Sequence, residues 1–220
     1  MKTKENAETF EARLVGKMSE EDILRVMYAY QISKEGHRRD FRDGGKKRYF
    51  EHPREGCLVL MDELGIYSAR LLVAFLLHDT GEDTPVLGKI KPDYKKWLRI
   101  ATFRANLHYP GVADLVIGLT KPYVDGIHFH TKEEAFDYYI NHLTNAETIL
   151  LKAVDRLINL RDMDNCTLAK IKKQVIETRE VYLPIFNKLH DFEEVNGYAM
   201  YLITRITDRL AELDQKLLAA

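Results

Sequence analysis

A short segment of the sequence concentrates side chains that bind metal ions and accept protons. The run LLHDTGEDT at 76–84 contains His78, Asp79, Glu82 and Asp83 within six residues. An imidazole and a carboxylate together offer nitrogen and oxygen to a divalent cation, and such groups crowd unfavourably at a buried position unless a cation is present. Taken alone, the His-Asp dipeptide is explained equally well by a structural role, in which the aspartate caps a turn and the histidine bonds a backbone carbonyl.

A second polar interruption lies in the apolar run ILLKAVDRLINLRD at 149–162. Asp155 and Asn159 are four residues apart, so they face the same way on a helix. Asp155 is therefore either a further ligand or a member of an internal salt bridge with Arg156 or Arg161.

Helices are predicted to position these groups. Apolar residues recur at helical spacing almost throughout, whereas alternating strand patterns are hard to find. The segment from Ser68 to Asp79 is so apolar that a helix there must run through the protein centre and carry the His-Asp pair at its buried end. An earlier helix opens at His52-Pro53, because proline is favoured in the first turn, and should end near Gly65.

Further helices are predicted along the rest of the chain, and together they indicate an all-α fold. Their expected landmarks are an N-cap at Ser19, an end before Tyr109-Pro110-Gly111, and helices over Val112–Leu119, Lys132–Leu143 and Ala146–Arg161. Two long helices follow, the first kinked at Pro184 and the second with a core-packing or dimer stripe from Ile203 to Leu217. We expect a single domain with its core at about 19–190 and a C-terminal helical extension at 191–220.

Taken in order, these segments resemble the hydrolase domain of the RelA/SpoT-type alarmone enzymes, especially the small stand-alone alarmone hydrolases. The similarity covers about two-thirds of the chain and implies an HD-type helical bundle. The matching segments are His37, Tyr49-Phe50-Glu51 leading into His52-Pro53, LLHDTGEDT at 76–84, LVIGLTKP at 115–122, KAVDRLINLRDM at 152–163 and ETREVYLPI at 177–185.

The resemblance implies one metal ion per chain, expected to be Mn²⁺. Its ligands would be His52, His78, Asp79 and Asp155. Two imidazoles and two carboxylates suit an octahedral cation with positions left for water and a phosphate oxygen. Glu82 and Asp83 match the acidic pair that orients or deprotonates the attacking water, whose pKa the metal lowers.

The resemblance also implies a purine nucleotide substrate. Asn159 matches a position beside the sugar and phosphate, Arg42 matches an arginine that stacks on the base, and Lys46 and Arg161 complete the expected binding set. The basic run at 46–48 either binds the pyrophosphate or forms a solvated loop. The expected reaction is hydrolysis of the 3′-pyrophosphate of ppGpp or pppGpp, giving GDP or GTP and pyrophosphate.

The amino-acid composition limits the classes of partner that this protein is expected to bind. The chain has 33 Lys+Arg and 34 Asp+Glu, so it lacks the basic surplus typical of nucleic-acid binding. No segment approaches the roughly 20 apolar residues of a membrane span, the charged N-terminal segment contains no apolar stretch of signal-peptide length, and a cytoplasmic location is expected. Cys57 and Cys166 are interpreted as buried apolar residues and not as a disulfide. The C-terminal stripe leaves a homodimer open.

Three alternatives stay open at this point. One is another HD phosphohydrolase that acts on nucleoside 5′-monophosphates, although the acidic pair and the GLTK and DRLxNxR segments argue against it. Another is a relative tuned to adenosine alarmones or NADPH, since base selectivity depends on the shape of the pocket. The third is a non-catalytic nucleotide-binding module that neutralises a toxic synthetase, although every proposed ligand is retained.

Overall fold

The computed structural model describes residues 5–42, 47–88, 94–120, 137 and 143–219, except for the side chains of Glu82, Tyr94 and Lys95. Within these ranges the regular structure is helical and no strand occurs, which confirms the all-α expectation. The chain divides into two compact units. Unit 1 comprises Met1–Asp40 and Arg48–His130, and unit 2 comprises Phe41–Lys47 and Thr131–Ala220. None of the described helices has the length and apolar character needed to cross a membrane.

Unit 1 contains six helices among its described residues. They are α1 (Ala7–Leu14), α2 (Glu20–Gly36), α3 (Glu51–Leu58), α4 (Ala69–Asp83), α5 (Tyr94–His108) and α6 (Ala113–Leu119). Helix α2 begins as predicted, because Ser19 Oγ accepts a hydrogen bond from the Asp22 backbone N–H at 3.1 Å. Helix α3 continues through a π-helical turn, Val59–Glu63, and the chain turns at Gly65 with φ +68°. A left-handed residue of this kind commonly follows a helix end.

Helix α4 is the central element of unit 1 and packs against α2, α3, α5 and α6. Its apolar run, Leu71–Leu77, is buried on every side, as the sequence predicted. The helix continues one turn beyond Asp79, to Asp83. It ends there because Thr84 precedes Pro85, and a residue before proline is disfavoured in the helical conformation. Both acidic residues that follow the His-Asp pair therefore lie on the same helix as that pair.

Helices α3 and α4 approach closely at Gly56. A Cβ atom added to Gly56 would lie 1.9 Å from Cε1 of the buried Phe75 ring, which is a severe steric overlap. Gly56→Ala is therefore expected to destabilise the protein by about 1–3 kcal/mol, because the tightly packed helices must separate. Urea denaturation would measure this change in the free energy of unfolding.

The matched control for this prediction is Gly197→Ala, since an added Cβ there meets no atom within 4 Å. Removing a glycine from an open helical position should stabilise the protein slightly, by up to about 1 kcal/mol. A Gly56→Ala protein as stable as the wild type would show that the two helices can separate without cost.

His108 ends α5 and is buried beside Tyr28, with the two ring centroids 5.3 Å apart. Burial lowers the pKa of the His108 imidazole, so the unfolded chain binds a proton there more readily than the folded one. The stability that neutral His108 contributes is therefore present above the unfolded pKa of about 6.5 and is lost as the pH falls through the folded pKa. His108→Gln is expected to reduce the loss of stability on acidification.

Denaturation midpoints of the His108→Gln protein at neutral pH and below the histidine range would test this. His190→Gln replaces an exposed histidine and should leave the acid sensitivity of the wild type unchanged. Equal acid sensitivity in the wild-type and His108→Gln proteins would contradict the prediction.

Unit 2 contains four helices among its described residues. They are α7 (Ala146–Arg161), α8 (Leu168–Glu177), α9 (Leu183–Phe186) and α10 (Asn196–Leu218). The bounds of α7 are those predicted, and Asn145 caps its first turn. The break expected near Pro184 is a π-helical turn, Thr178–Tyr182, directly before α9. The helix predicted over 132–143 falls almost entirely outside the described residues.

Helix α10 packs its apolar stripe against α7. The side chains buried along it are Ala199, Leu202, Ile206, Leu210 and Leu213. The core-packing interpretation of the C-terminal stripe is therefore confirmed for the residues at its centre.

Both cysteines are free thiols. Cys57 is fully buried in unit 1, its Sγ lies 3.6 Å from the Leu72 carbonyl oxygen, and burial raises the pKa of the thiol. Cys166 in unit 2 is half-buried. The expectation of a buried apolar cysteine is thus confirmed for Cys57, whereas Cys166 is partly open to solvent.

Candidate active site

Unit 1 brings together three of the predicted metal ligands. Asp79 Oδ2 lies 3.4 Å from His52 Nε2, and Asp79 Oδ1 lies 3.1 Å from His78 Nε2. The imidazoles are 1% and 3% exposed, while the carboxylate side chain is 17% exposed. One carboxylate thus spans two buried imidazoles and keeps an open side.

The positions of the two imidazoles follow from the packing of α3 on α4. His52 and Pro53 lie in the first turn of α3, where proline is favoured. The contact between Gly56 and Phe75 places this turn beside α4, and the two imidazole centroids are 5.7 Å apart. The Phe75 ring packs against both imidazoles, with its centroid 4.8 Å from that of His78 and 6.5 Å from that of His52.

The hydrogen bond on the inner side of His78 fixes its tautomer. Nδ1 lies 2.6 Å from the carbonyl oxygen of Phe75, and a carbonyl can only accept, so Nδ1 carries the proton. When the ring is neutral, the Nε2 lone pair faces a carboxylate oxygen of Asp79. Two acceptors 3.1 Å apart require a proton or a cation near both of them.

This arrangement fits a divalent metal ion. Histidine ligands usually donate their other ring N–H to a carbonyl or carboxylate, as His78 does. The structural role considered for the His-Asp dipeptide is confirmed for the histidine, because His78 bonds a backbone carbonyl. That bond and metal binding by Nε2 are compatible, since they use opposite edges of the ring.

A further carboxylate lies one turn along the same helix. Asp83 follows Asp79 by four residues, so both are on one side of α4. Asp83 is exposed, and its Oδ2 accepts a hydrogen bond from the Tyr49 hydroxyl at 2.7 Å. Glu82 lies on α4 beside it, with its side chain outside the described part of the structure.

In unit 2, Asp155 is buried on α7 and has two donors. Its Oδ2 accepts from Lys152 Nζ at 2.8 Å, and its Oδ1 accepts from Asn159 Nδ2 at 2.7 Å. Asp155 therefore forms an internal salt bridge, but with Lys152, which is neither of the two arginines considered as its partner. Arg156 instead pairs with Glu177 at 3.4 Å. Lys152 was missed although its spacing of three from Asp155 places both on one helix face.

A second polar cluster in unit 2 continues from Asn159. Arg42 Nη2 donates to Asn159 Oδ1 at 2.5 Å, and Arg42 Nε lies 3.6 Å from Asp162 Oδ2. Lys47 Nζ donates to the other oxygen of Asp162 at 2.6 Å. Asn159 therefore connects Asp155 to Arg42, and Asp162 connects Arg42 to Lys47. We call Arg42, Lys47, Asn159 and Asp162 the arginine cluster.

The two remaining predicted substrate residues are Lys46 and Arg161. Lys46 falls outside the described residues. Arg161 lines a cleft of about 230 Å³ in unit 2 with Asp164, Arg205 and Arg209 among its neighbours. The Arg209 guanidinium there already donates to Asp164 at 2.5 Å and to the Leu160 carbonyl at 3.1 Å. The lining contains three arginines and three carboxylates, so its formal charges balance.

Comparison with known proteins finds relatives named for (p)ppGpp synthesis, for its hydrolysis or for both. No protein-family model matches the chain. It is 28% identical over 197 residues to the bifunctional (p)ppGpp synthase/hydrolase SpoT of Escherichia coli K12, covering 84% of this chain and 25% of that protein. It is 34% identical over 168 residues to the guanosine-3′,5′-bis(diphosphate) 3′-pyrophosphohydrolase of Aquifex aeolicus, covering 74% of this chain and 21% of that protein.

A third relative carries the name of the opposite activity. The chain is 29% identical over 177 residues to the GTP pyrophosphokinase of Streptomyces coelicolor, covering 79% of this chain and 19% of that protein. The chain thus spans a quarter or less of the length of these relatives.

Proposed function

Because the chain belongs to the RelA/SpoT family over the region that it shares with these relatives, we propose that it hydrolyses the 3′-pyrophosphate of ppGpp or pppGpp. The products would be GDP or GTP and pyrophosphate. The relatives include proteins named for synthesis and for hydrolysis, so the choice between the two depends on the site. The observation that carries it is the carboxylate of Asp79 between the imidazoles of His52 and His78, because this donor set suits hydrolysis assisted by a metal ion.

We propose that the cation is Mn²⁺, one per chain, held in unit 1 by His52, His78 and Asp79. Nitrogen and oxygen donors together suit a borderline divalent ion. Asp155 as a fourth ligand stays a prediction from the resemblance. When bound, the cation would lower the pKa of a water molecule and polarise a phosphate oxygen.

Acidic side chains of the chain are the proposed acceptors in the proton-transfer step. Asp83, and Glu82 beside it, are the proposed acceptors of the proton that the attacking water loses. Water attacks the phosphorus atom that is bonded to the 3′ oxygen. The bond between this phosphorus and the 3′ oxygen then breaks, the 3′ oxygen takes up a proton, and pyrophosphate leaves. Asp83 suits this role because it is exposed and lies one helical turn beyond Asp79.

The arginine cluster is the proposed nucleotide-binding element. Arg42 offers a planar cation that can stack on a purine base, and Lys47 offers a point charge for phosphate. Lys47 is held by Asp162, so this member of the basic run is not simply a solvated surface lysine. Asn159 and Asp162 both contact the Arg42 guanidinium, through its Nη2 and Nε atoms.

Arg42→Ala is expected to raise KM about tenfold and to change kcat much less, because stacking on the base stabilises the ground state and the transition state alike. Initial rates over a range of ppGpp concentrations would separate the two constants. Arg38→Ala removes an exposed arginine of unit 1 and is the matched control, for which no change is expected. A fall in kcat with KM unchanged would assign Arg42 to the chemical step.

The proposed function is tested by chromatography of a nucleotide panel after incubation with the protein and Mn²⁺. The panel contains ppGpp, an adenosine alarmone, NADPH and GMP, and an Asp79→Ala preparation controls for contaminating phosphatases. The expected result is loss of ppGpp with equal appearance of GDP and pyrophosphate.

Other outcomes of the panel would select the alternatives. Release of orthophosphate from GMP with ppGpp untouched would indicate a nucleotidase, and preferred turnover of the adenosine compound or NADPH would reassign the substrate. Nucleotide binding without turnover would indicate a non-catalytic module. A cytoplasmic location and a homodimer stay predictions from the sequence.

A further inference from the structure

The tyrosine that contacts Asp83 is itself held by a buried histidine. Tyr49 lies just before α3, and its ring stacks on that of His37 with centroids 4.6 Å apart and planes inclined by 21°. His37 follows the last residue of α2 and is 1% exposed. The tyrosine ring thus rests on a platform that belongs to the interior of unit 1.

The platform is fixed on both edges of the imidazole. His37 Nδ1 lies 3.2 Å from Asp40 Oδ2, and Nε2 lies 3.5 Å from the hydroxyl of Thr80 on α4. The Tyr49 backbone N–H also donates to the Asp40 carbonyl oxygen at 3.0 Å. Contacts of the side chain and the backbone therefore converge on one placement of the phenol ring.

The phenol hydroxyl donates a hydrogen bond to Asp83, so the fixed position of the ring also restrains that carboxylate. The hydrogen bond to Asp83 Oδ2 has the usual length for a hydroxyl donor, 2.7 Å. An exposed carboxylate otherwise samples several rotamers, and each orientation away from the reacting water is unproductive. A donor fixed to the protein interior removes that freedom while the second carboxylate oxygen stays available.

We propose that Tyr49 is a positioning residue for Asp83, with His37 as the platform that orients it. The inference rests on the proposed function, because it assigns Tyr49 to the same hydrolytic step. Tyr49 acts through Asp83 and does not accept the proton itself. The Tyr49 ring also lies edge-on to His52, with centroids 6.4 Å apart, so a test must spare the ring.

Tyr49→Phe removes the hydroxyl and keeps the ring. We expect kcat to fall about tenfold, as for loss of one hydrogen bond to a charged group, while KM, bound Mn²⁺ and the denaturation midpoint stay at wild-type values. Tyr28→Phe removes a hydroxyl from an exposed tyrosine of the same unit and should leave all four quantities unchanged.

A double-mutant cycle separates positioning of Asp83 from any other role. In an Asp83→Asn background, Tyr49→Phe should have little further effect on kcat, because the hydroxyl then has no catalytic carboxylate to orient. A structural contribution of Tyr49 would instead lower kcat by the same factor in both backgrounds.

The contact can also be observed without turnover, through the ¹³Cζ resonances of labelled tyrosine in the resting protein. Asp83→Asn should shift the Tyr49 resonance and leave that of Tyr28 in place. An unshifted Tyr49 resonance, or equal effects of Tyr49→Phe in the two backgrounds, would overturn the inference and leave the proposed function intact. Failure of the wild-type protein to release pyrophosphate from ppGpp would overturn the proposed function, and the inference with it.

Discussion

Asp79→Ala protein is expected to retain no Mn²⁺ after dialysis and to release no pyrophosphate above background. Asp79 contacts both imidazoles, at 3.4 and 3.1 Å, so its removal takes away the negative charge that they share. Loss of a supporting contact around a metal costs about 10–100-fold in affinity or activity, and loss of a charged ligand should exceed this. Metal analysis by mass spectrometry and chromatography of ppGpp would measure both effects.

The chain contains a matched control for this substitution in its second His-Asp dipeptide. Asp191 follows His190 at an exposed position in unit 2, and Asp191→Ala should leave metal content and turnover unchanged. Asp79→Asn would show whether the shape of the side chain suffices without its charge. Wild-type activity in the Asp79→Ala protein would remove the dipeptide from the proposed site.

Asp83→Asn is expected to keep Mn²⁺ bound and to slow hydrolysis by about 10²–10⁴, the usual contribution of one acid–base group. The amide retains the size of the carboxylate but cannot take the proton of the attacking water. The measurement is kcat at saturating Mn²⁺ and ppGpp, together with metal content. Glu82→Gln tests the neighbouring acid in the same way.

Asp114→Asn is the control for the change of charge, since Asp114 is an exposed carboxylate on α6. Its kcat should equal that of the wild type. Loss of metal from the Asp83→Asn protein would place Asp83 among the ligands and remove it from the proton-transfer step.

The central helix could be predicted well, because local sequence determines it. The apolar run before His78 admits no exposed face, and the structure buries it on every side. The predicted end of that helix was one turn too early. Thr80 and Gly81 are weak helix formers, but Thr80 is buried against α2 through the Ser33 hydroxyl, at 3.3 Å. Tertiary packing thus extends the helix until Pro85 ends it.

The side-chain partners could not be predicted to the same extent, because they join distant parts of the chain. Arg42 and Asn159 are separated by 117 positions, and no periodicity relates them. The approach of His52 to Asp79 was expected only from the resemblance. Asp162 and Lys152 looked like ordinary charges at a helix end and on a helix face, and only their partners give them a role.

The difference between the two thiols makes the chain convenient for spectroscopy. A maleimide reagent attacks the thiolate, so Cys57, buried and with a raised pKa, should stay unlabelled while the protein is folded. Cys166 is partly accessible, and its Sγ lies 3.9 Å from the Asp162 carbonyl oxygen. A fluorophore or spin label can therefore be attached beside the arginine cluster of the natural sequence, where it would report nucleotide binding without any engineered cysteine.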